Sequence, residues 1–243
     1  MRLRGGPAPA DQPVSAPPST PQLTVVVPAL NEEQSIGGVV ADVRAQLGAE
    51  VIVVDNGSTD RTVEVAERHG ARVVSESRRG YGWACRTGCA AAAGSDLVVI
   101  IDGDGSMAAA DIRILVAPIL AGVADLVCGA RPRGSAAMPW HQRAGNRVIG
   151  IMLRVLYGLR HEELGPFRAV RSSTLAALEL PGSRYAWPAQ MLARASRSGV
   201  SIAEVRVGYR DRAGGRSKIG GTVRGSFGAA WAITATLLAE RVR

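Results

Sequence analysis

Two carboxylates separated by one glycine, Asp102-Gly103-Asp104, directly follow the apolar run Leu97 to Ile101. Side chains spaced this way repel unless a cation lies between them, and the glycine lets the chain turn and a ligand approach closely. Hard oxygen ligands of this kind suit Mg2+ or Mn2+, with the remaining positions left to water and phosphate oxygens. A second cluster, Asp55-Asn56-Gly57-Ser58-Thr59-Asp60, follows another apolar run and offers the acceptor-only carboxylate of Asp55 to a nucleotide base or ribose. A helix capped by Ser58 or Thr59 is the competing explanation of that stretch. A third cluster, Pro28-Ala29-Leu30-Asn31-Glu32-Glu33, follows the first apolar run, and far downstream Tyr209-Arg210 leads into the basic Gly215-Arg216-Ser217-Lys218. A solvated loop and a phosphate-binding loop would both be basic in this way.

The elements that must position these clusters are written in the apolar pattern. Leu23 to Val27, Val51 to Val54 and Leu97 to Ile101 are short, continuous, β-branched runs, as buried parallel strands are. Between them Ile36, Val39, Val40, Val43 and Leu47 follow helical spacing, and Thr62 to His69 is closed by Gly70. This β-α-β-α-β order predicts an α/β fold with a doubly wound, mostly parallel sheet flanked by helices, whose ligands bind beyond the carboxyl ends of the strands. All three clusters sit at such ends. In the second half Ile149, Met152, Leu153 and Leu156 mark an amphipathic helix, Ile202 to Val207 a strand, and Thr222 to Glu240 a final helix that is apolar nearly all round. Residues 1–22, rich in Pro, Ala and Ser, read as a disordered tail, 23–220 as one α/β domain, and 221–243 as a C-terminal helix suited to a membrane interface.

The three ordered clusters, joined by Gly165-Pro166-Phe167-Arg168-Ala169, resemble the family 2 glycosyltransferases, and among them the polyprenyl-phosphate (dolichol-phosphate) mannose and glucose synthases, from about Leu23 to Lys218. The resemblance implies a GT-A type fold and an inverting transfer of a hexose from a GDP- or UDP-linked donor to an acceptor, a polyprenyl phosphate first among candidates. It implies that Pro28, Leu30, Asn31, Glu32, Asp55, Gly57 and Ser58 lie at the donor nucleotide. Asp102, Gly103 and Asp104 would hold the metal and diphosphate. Arg131, Arg143, Arg216 and Lys218 would meet phosphate oxygens of donor or acceptor, Arg168 and Ser217 would bind substrate, and Asp104, Arg131, Arg143 and Lys218 are the expected catalytic set. Leu30 stands where the family often has Tyr, and Tyr81 where Lys is common. Glu162 and Glu163 precede the Gly-Pro-Phe segment, where either would serve a hydroxyl acceptor as a base or orient Arg168.

Composition bounds the alternatives. A chain of 243 residues with 47% hydrophobic content can bury one substantial core, and a net charge of +8 calls for an anionic partner. Nucleic acid, nucleoside diphosphates and anionic lipid all satisfy that charge, but aromatics at 4% provide no stacking platform for nucleic acid, which is not expected. The rival readings are transfer to a soluble hydroxyl acceptor on the same fold, and a non-catalytic nucleotide- or nucleic-acid-binding protein. A nucleotidyltransferase would carry a glycine-rich basic loop after the first strand, where this chain is acidic. No stretch reaches the roughly 18 apolar residues of a spanning helix, so the expectation is a cytoplasmic protein that touches the membrane peripherally. Cys85 and Cys89, four apart on one helical face, read as reduced thiols rather than a zinc knuckle. The three histidines are scattered without metal spacing.

Overall fold

Strands that are apolar on both faces need helices on both faces, and the chain is built that way. The computed structural model describes residues 21–131, 140–161, 163–212 and 223–242, with side chains outside 140–143 and 223–227. The elements run β1 (Leu23–Ala29), α1 (Ile36–Leu47), β2 (Glu50–Asp55), α2 (Thr62–Arg68), β3 (Arg72–Ser75), α3 (Tyr81–Ala91) and β4 (Leu97–Ile100). After a short 3-10 turn at Ala109–Asp111 come α4 (Ile112–Leu120), β5 (Leu126–Ala130), α5 (Trp140–Tyr157), β6 (Arg168–Arg171) and α6 (Ser172–Ala177). The chain closes with α7 (Trp187–Arg197), β7 (Ile202–Arg206) and α8 (Val223–Val242).

The seven strands form one sheet in the order β3-β2-β1-β4-β6-β5-β7. It is parallel except at β6, which runs antiparallel to both β4 and β5. Alternation within each strand divides the core in two. Val25, Val27, Val51, Val53 and Val99 face α1, α2 and α4 on one side. Val26, Ile52, Val54, Val98 and Ile100 face α3, α5, α7 and α8 on the other. Because β1 lies between β2 and β4, the chain reverses direction of sheet growth there, and a crevice opens beyond the carboxyl ends of these three strands.

The differences from the sequence expectation have local causes. β1 continues through Pro28 to Ala29, because its pairing with β4 stops at Val26 while the pairing with β2 runs on. A proline there costs no ladder hydrogen bond on the β4 side. β3, β5 and β6 were not foreseen: β3 is half exposed, β5 ends in Gly129-Ala130, and β6 begins with a buried arginine. β3 and β6 lack a continuous apolar run, and that of β5 is short, Leu126 to Cys128 before Gly129.

Helix α8 is docked on α5 and α7. Ala229, Ile233 and Leu237 are buried, the Tyr157 hydroxyl donates to the Leu237 carbonyl, and Glu240 accepts from Arg194 Nε and Nη2, each at 3.0 Å. The Glu240 side chain is 3% exposed, so its partner is left with an uncompensated charge if the carboxylate is removed. Among the described residues no helix is long and apolar enough to cross a membrane. Glu240→Ala is expected to lower the unfolding free energy by about 3 kcal/mol in urea titrations. A loss well under 1 kcal/mol would show that this pair does not anchor α8.

Candidate active site

The loops after β1, β2 and β4 are tied to one another by side-chain hydrogen bonds. Asn31, at φ 53°, donates its amide to Ser58 Oγ at 2.9 Å, and its Oδ1 accepts the Thr59 amide at 2.7 Å. The Glu32 amide donates to Thr62 Oγ1, and Ser35 Oγ donates to the Gly103 carbonyl at 2.8 Å. Asp55 accepts the amides of Gly57 and Ser58, closing its own turn at the end of β2. Asn31, Asp55 and Ser58 therefore hold the rim in shape, while Asn56 turns inward and is fixed by bonds to the Glu76 and Arg78 carbonyls and the Gly80 amide.

The rim encloses a cleft of about 440 Å³. Pro28, Leu30, Glu32, Asp102, Gly103 and Asp104 line it, as the sequence led one to expect. Of the opposite wall, the sequence marks only Tyr81 and its glycine-rich surroundings. The wall comes from Arg79 and Tyr81 at the start of α3 and from Arg184 and Tyr185 in the segment before α7. These two segments meet through glycine: a Cβ on Gly82 would lie 2.7 Å from the Ser183 carbonyl oxygen, and one on Gly182 would fall inside the Trp83 ring. The recurring glycines of Gly80-Tyr81-Gly82 were the only sequence signal for this wall.

Electrostatics centre on the carboxylate pair. Asp104 is buried, accepts the Ser106 amide at 2.9 Å, and pairs with Arg212 Nη2 at 3.1 Å. Burial, and then the neighbouring Asp104 charge, push the Asp102 carboxyl up to about 7, with Glu32 adding to the effect and Arg212 and Arg131 opposing it. A carboxylate so reluctant to ionise beside a second one already drawing a cation is a donor set that fits a divalent metal. Among the described residues no third carboxylate, histidine or cysteine joins the pair, so a metal there would take its other ligands from water and substrate.

Arg131 stands at the end of β5, outside the cleft lining. Its Nε contacts Glu163 Oε1 at 2.8 Å, its amide donates to Glu163 Oε2 at 3.0 Å, and its guanidinium stacks 3.6 Å from the Tyr209 ring centroid. Glu163 thus positions Arg131. Arg168 departs from expectation: it is 0% exposed, and its guanidinium donates to the Gly165 and Pro188 carbonyls beneath the sheet instead of facing substrate. Its buried position follows from β6 being an interior strand between β4 and β5. Gly57 lies behind Arg79, which occupies the space beside its Cα. The Arg143 side chain and Glu162, Arg216, Ser217 and Lys218 lie outside the described residues.

Comparison with known proteins agrees with this geometry. Residues 24–178 match the model of glycosyl transferase family 2. An uncharacterised glycosyltransferase of Mycobacterium tuberculosis is 43% identical over 206 residues, covering 84% of this chain and 93% of its own length. A dolichyl-phosphate hexose transferase of Haloferax volcanii is 37% identical over 196 residues, covering 79% of this chain and 84% of its own. Among solved structures, glucosyl-3-phosphoglycerate synthase from Mycobacterium tuberculosis, in complex with Mn2+, UDP and phosphoglyceric acid, superposes with a TM-score of 0.75 at 29% identity, covering 91% of this chain and 78% of that one. A GT-A sheet, a cleft at its switch point and an acidic pair at the end of β4 thus coincide with the sequence match, and the chain belongs to glycosyl transferase family 2.

Proposed function

We propose that this chain moves a hexose, with inversion, from a nucleoside-diphosphate donor to a polyprenyl phosphate at a membrane surface. The observation that carries the reading is the charge layout of the cleft: acidic groups are confined to Glu32, Asp102 and Asp104 at the strand ends, and Arg79, Arg184 and Arg212 face them from three separate segments. That layout suits two anionic substrates meeting at one centre. Asp102 and Asp104 would hold Mg2+ or Mn2+, which would neutralise the departing diphosphate. The arginines orient phosphate oxygens, and Leu30 with Pro28 supplies an apolar edge for the nucleotide. A phosphate acceptor is already ionised at neutral pH and needs positioning rather than deprotonation. Consistent with this, Glu163 is engaged by Arg131 instead of standing free as a base.

The lipid acceptor is supported by the dolichyl-phosphate hexose transferase relative and by the surface of α5 and α8. Val148, Ile151 and Val155 on α5 and Trp231, Leu238 and Val242 on α8 are exposed, and Arg147, Arg154 and Arg241 are exposed on the same helices. Apolar and cationic groups side by side suit an anionic bilayer surface. A second reading, transfer to a soluble phosphorylated acceptor, is favoured by the likeness to glucosyl-3-phosphoglycerate synthase. That relative's UDP also makes a uridine donor the first to test.

The decisive assay supplies labelled UDP- and GDP-hexoses with Mn2+ and compares polyprenyl phosphate in vesicles, 3-phosphoglycerate and a plain polyprenol. Label is expected in the polyprenyl phosphate; transfer to phosphoglycerate alone would replace the lipid reading. Asp104→Asn should reduce turnover by about a hundredfold or more, and an unchanged rate would remove the carboxylate pair from the mechanism.

The titration of Asp102 gives a further check in metal-free protein. Its folded pKa, about 7, is raised above the ordinary 3.8, so the protonated folded state contributes stability that is fully present below about 4 and is lost as pH rises through about 7. The melting temperature of the apo protein should therefore fall between pH 5 and pH 8 through this group. Asp102→Asn should flatten that slope and melt higher than the parent at pH 8. Parallel pH profiles for the two proteins would contradict the assignment.

A further inference from the structure

Glu76 follows β3 directly, is 5% exposed and does not line the cleft. Both oxygens of its carboxylate are engaged. Oε1 accepts the Arg78 amide at 2.8 Å and Arg78 Nε at 2.9 Å, while Oε2 accepts Arg78 Nη2 at 2.7 Å and the Thr87 hydroxyl at 2.6 Å. These bonds, those from the Arg78 side chain first among them, hold the carboxyl down to about 2 although burial works the other way. The Glu76 amide donates to the Asp55 carbonyl and its carbonyl accepts Asn56 Nδ2, each at 2.9 Å, which fastens the residue to the end of β2. A buried charge is costly unless it is paired, and the group that pairs this one is not a core residue: the Arg78 side chain is 51% exposed.

Arg78 does not line the cleft either. Its guanidinium lies 4.0 Å from the centroid of the Trp83 ring. Trp83 is half-buried and is a member of neither apolar layer, which leaves the orientation of its ring to contacts such as those with Arg78 and Gly182. The ring fills the space beside Gly182, where an added Cβ would fall 1.7 Å from Trp83 Cε3. Ser183 and Arg184 come next in the chain and lie against Gly80 and Gly82, and the Arg184 carbonyl accepts the Tyr81 amide at 3.2 Å. One continuous line of contact therefore runs from Glu76 through Arg78, Trp83 and Gly182 to the segment whose Arg184 and Tyr185 line the cleft. We infer that Glu76 and Arg78 are positioning residues for Arg184. The carboxylate fixes the Arg78 fork, the fork fixes the Trp83 ring, and the ring sets where the segment presents the Arg184 guanidinium to the donor phosphates. This role rests on the proposed reading of the cleft as a nucleoside-diphosphate site.

The test titrates the full chain, with Mn2+ present, with UDP and GDP and with uridine and guanosine, and reads Kd. Arg78→Ala is expected to raise the Kd of the nucleoside diphosphate that the parent protein binds by about fivefold, and to leave that of its nucleoside within about twofold, because only phosphate contacts are lost. Arg78→Lys keeps the charge without the fork and should match Arg78→Ala. Glu76→Gln should act in the same direction; if it does not fold, the two Arg78 variants carry the test, since that side chain is exposed. Arg184→Ala should weaken the diphosphate by itself, and adding Arg78→Ala to it should cost little more, as expected of residues that act through one contact. Unchanged diphosphate affinity in Arg78→Ala, full affinity in Arg78→Lys, equal losses for nucleoside and diphosphate, or additive losses in the double variant would each overturn the positioning role. A parent protein that binds neither UDP nor GDP would instead overturn the reading of the cleft on which it rests.

Discussion

Two carboxylates one residue apart at the end of a fully buried strand form an arrangement that cannot stand without positive charge nearby. Asp102 answers by holding its proton to about pH 7, and Asp104 by drawing in Arg212 from a segment more than a hundred residues later in the chain. Much of the molecule follows from this requirement. The sheet brings β1, β2 and β4 side by side so that their loops surround the pair, and β5 delivers Arg131 close enough to stabilise the Asp102 anion.

Holding such a site open is the work of the two apolar layers. Each strand carries one set of side chains to α1, α2 and α4 and the alternate set to α3, α5, α7 and α8, so the backbone at the strand ends has little freedom to collapse onto the cleft. Arg168 belongs to this scaffold. A guanidinium buried with only carbonyl partners among the described residues is tolerable because its three hydrogen bonds tie the turn at Gly165 to the start of α7, just after the segment that carries the opposite wall of the cleft.

The half of the fold that forms the cleft was legible because its strands are uninterrupted apolar runs and its helices show a clean period. The acidic residues of the cleft followed directly, since the end of a buried parallel strand is a defined place. What could not be read were features set by tertiary contact. The antiparallel β6 carries an arginine into the core, which no periodicity announces, and its family resemblance pointed that residue at substrate instead. Arg79, Arg184 and Tyr185 reach the cleft because two segments a hundred residues apart touch, and a single chain of letters does not say which glycines face each other. Glu163 looked like a possible base, and only its distance to Arg131 identified it as a brace.

The contact between the Gly80 to Trp83 turn and the Gly182 to Tyr185 segment separates geometry from chemistry. The spacing of the wall is set by glycines that leave no room for a side chain, Gly80 against the Arg184 backbone, Gly82 against the Ser183 carbonyl and Gly182 against the Trp83 ring, whereas the side chains of Arg79, Arg184 and Tyr185 line the cleft. Substitutions at the projecting side chains therefore change what the cleft presents while the glycine contacts that set the position of the wall stay in place. An engineer reshaping this cleft has in this protein a frame and a set of interchangeable fittings, encoded at different letters of the same two segments.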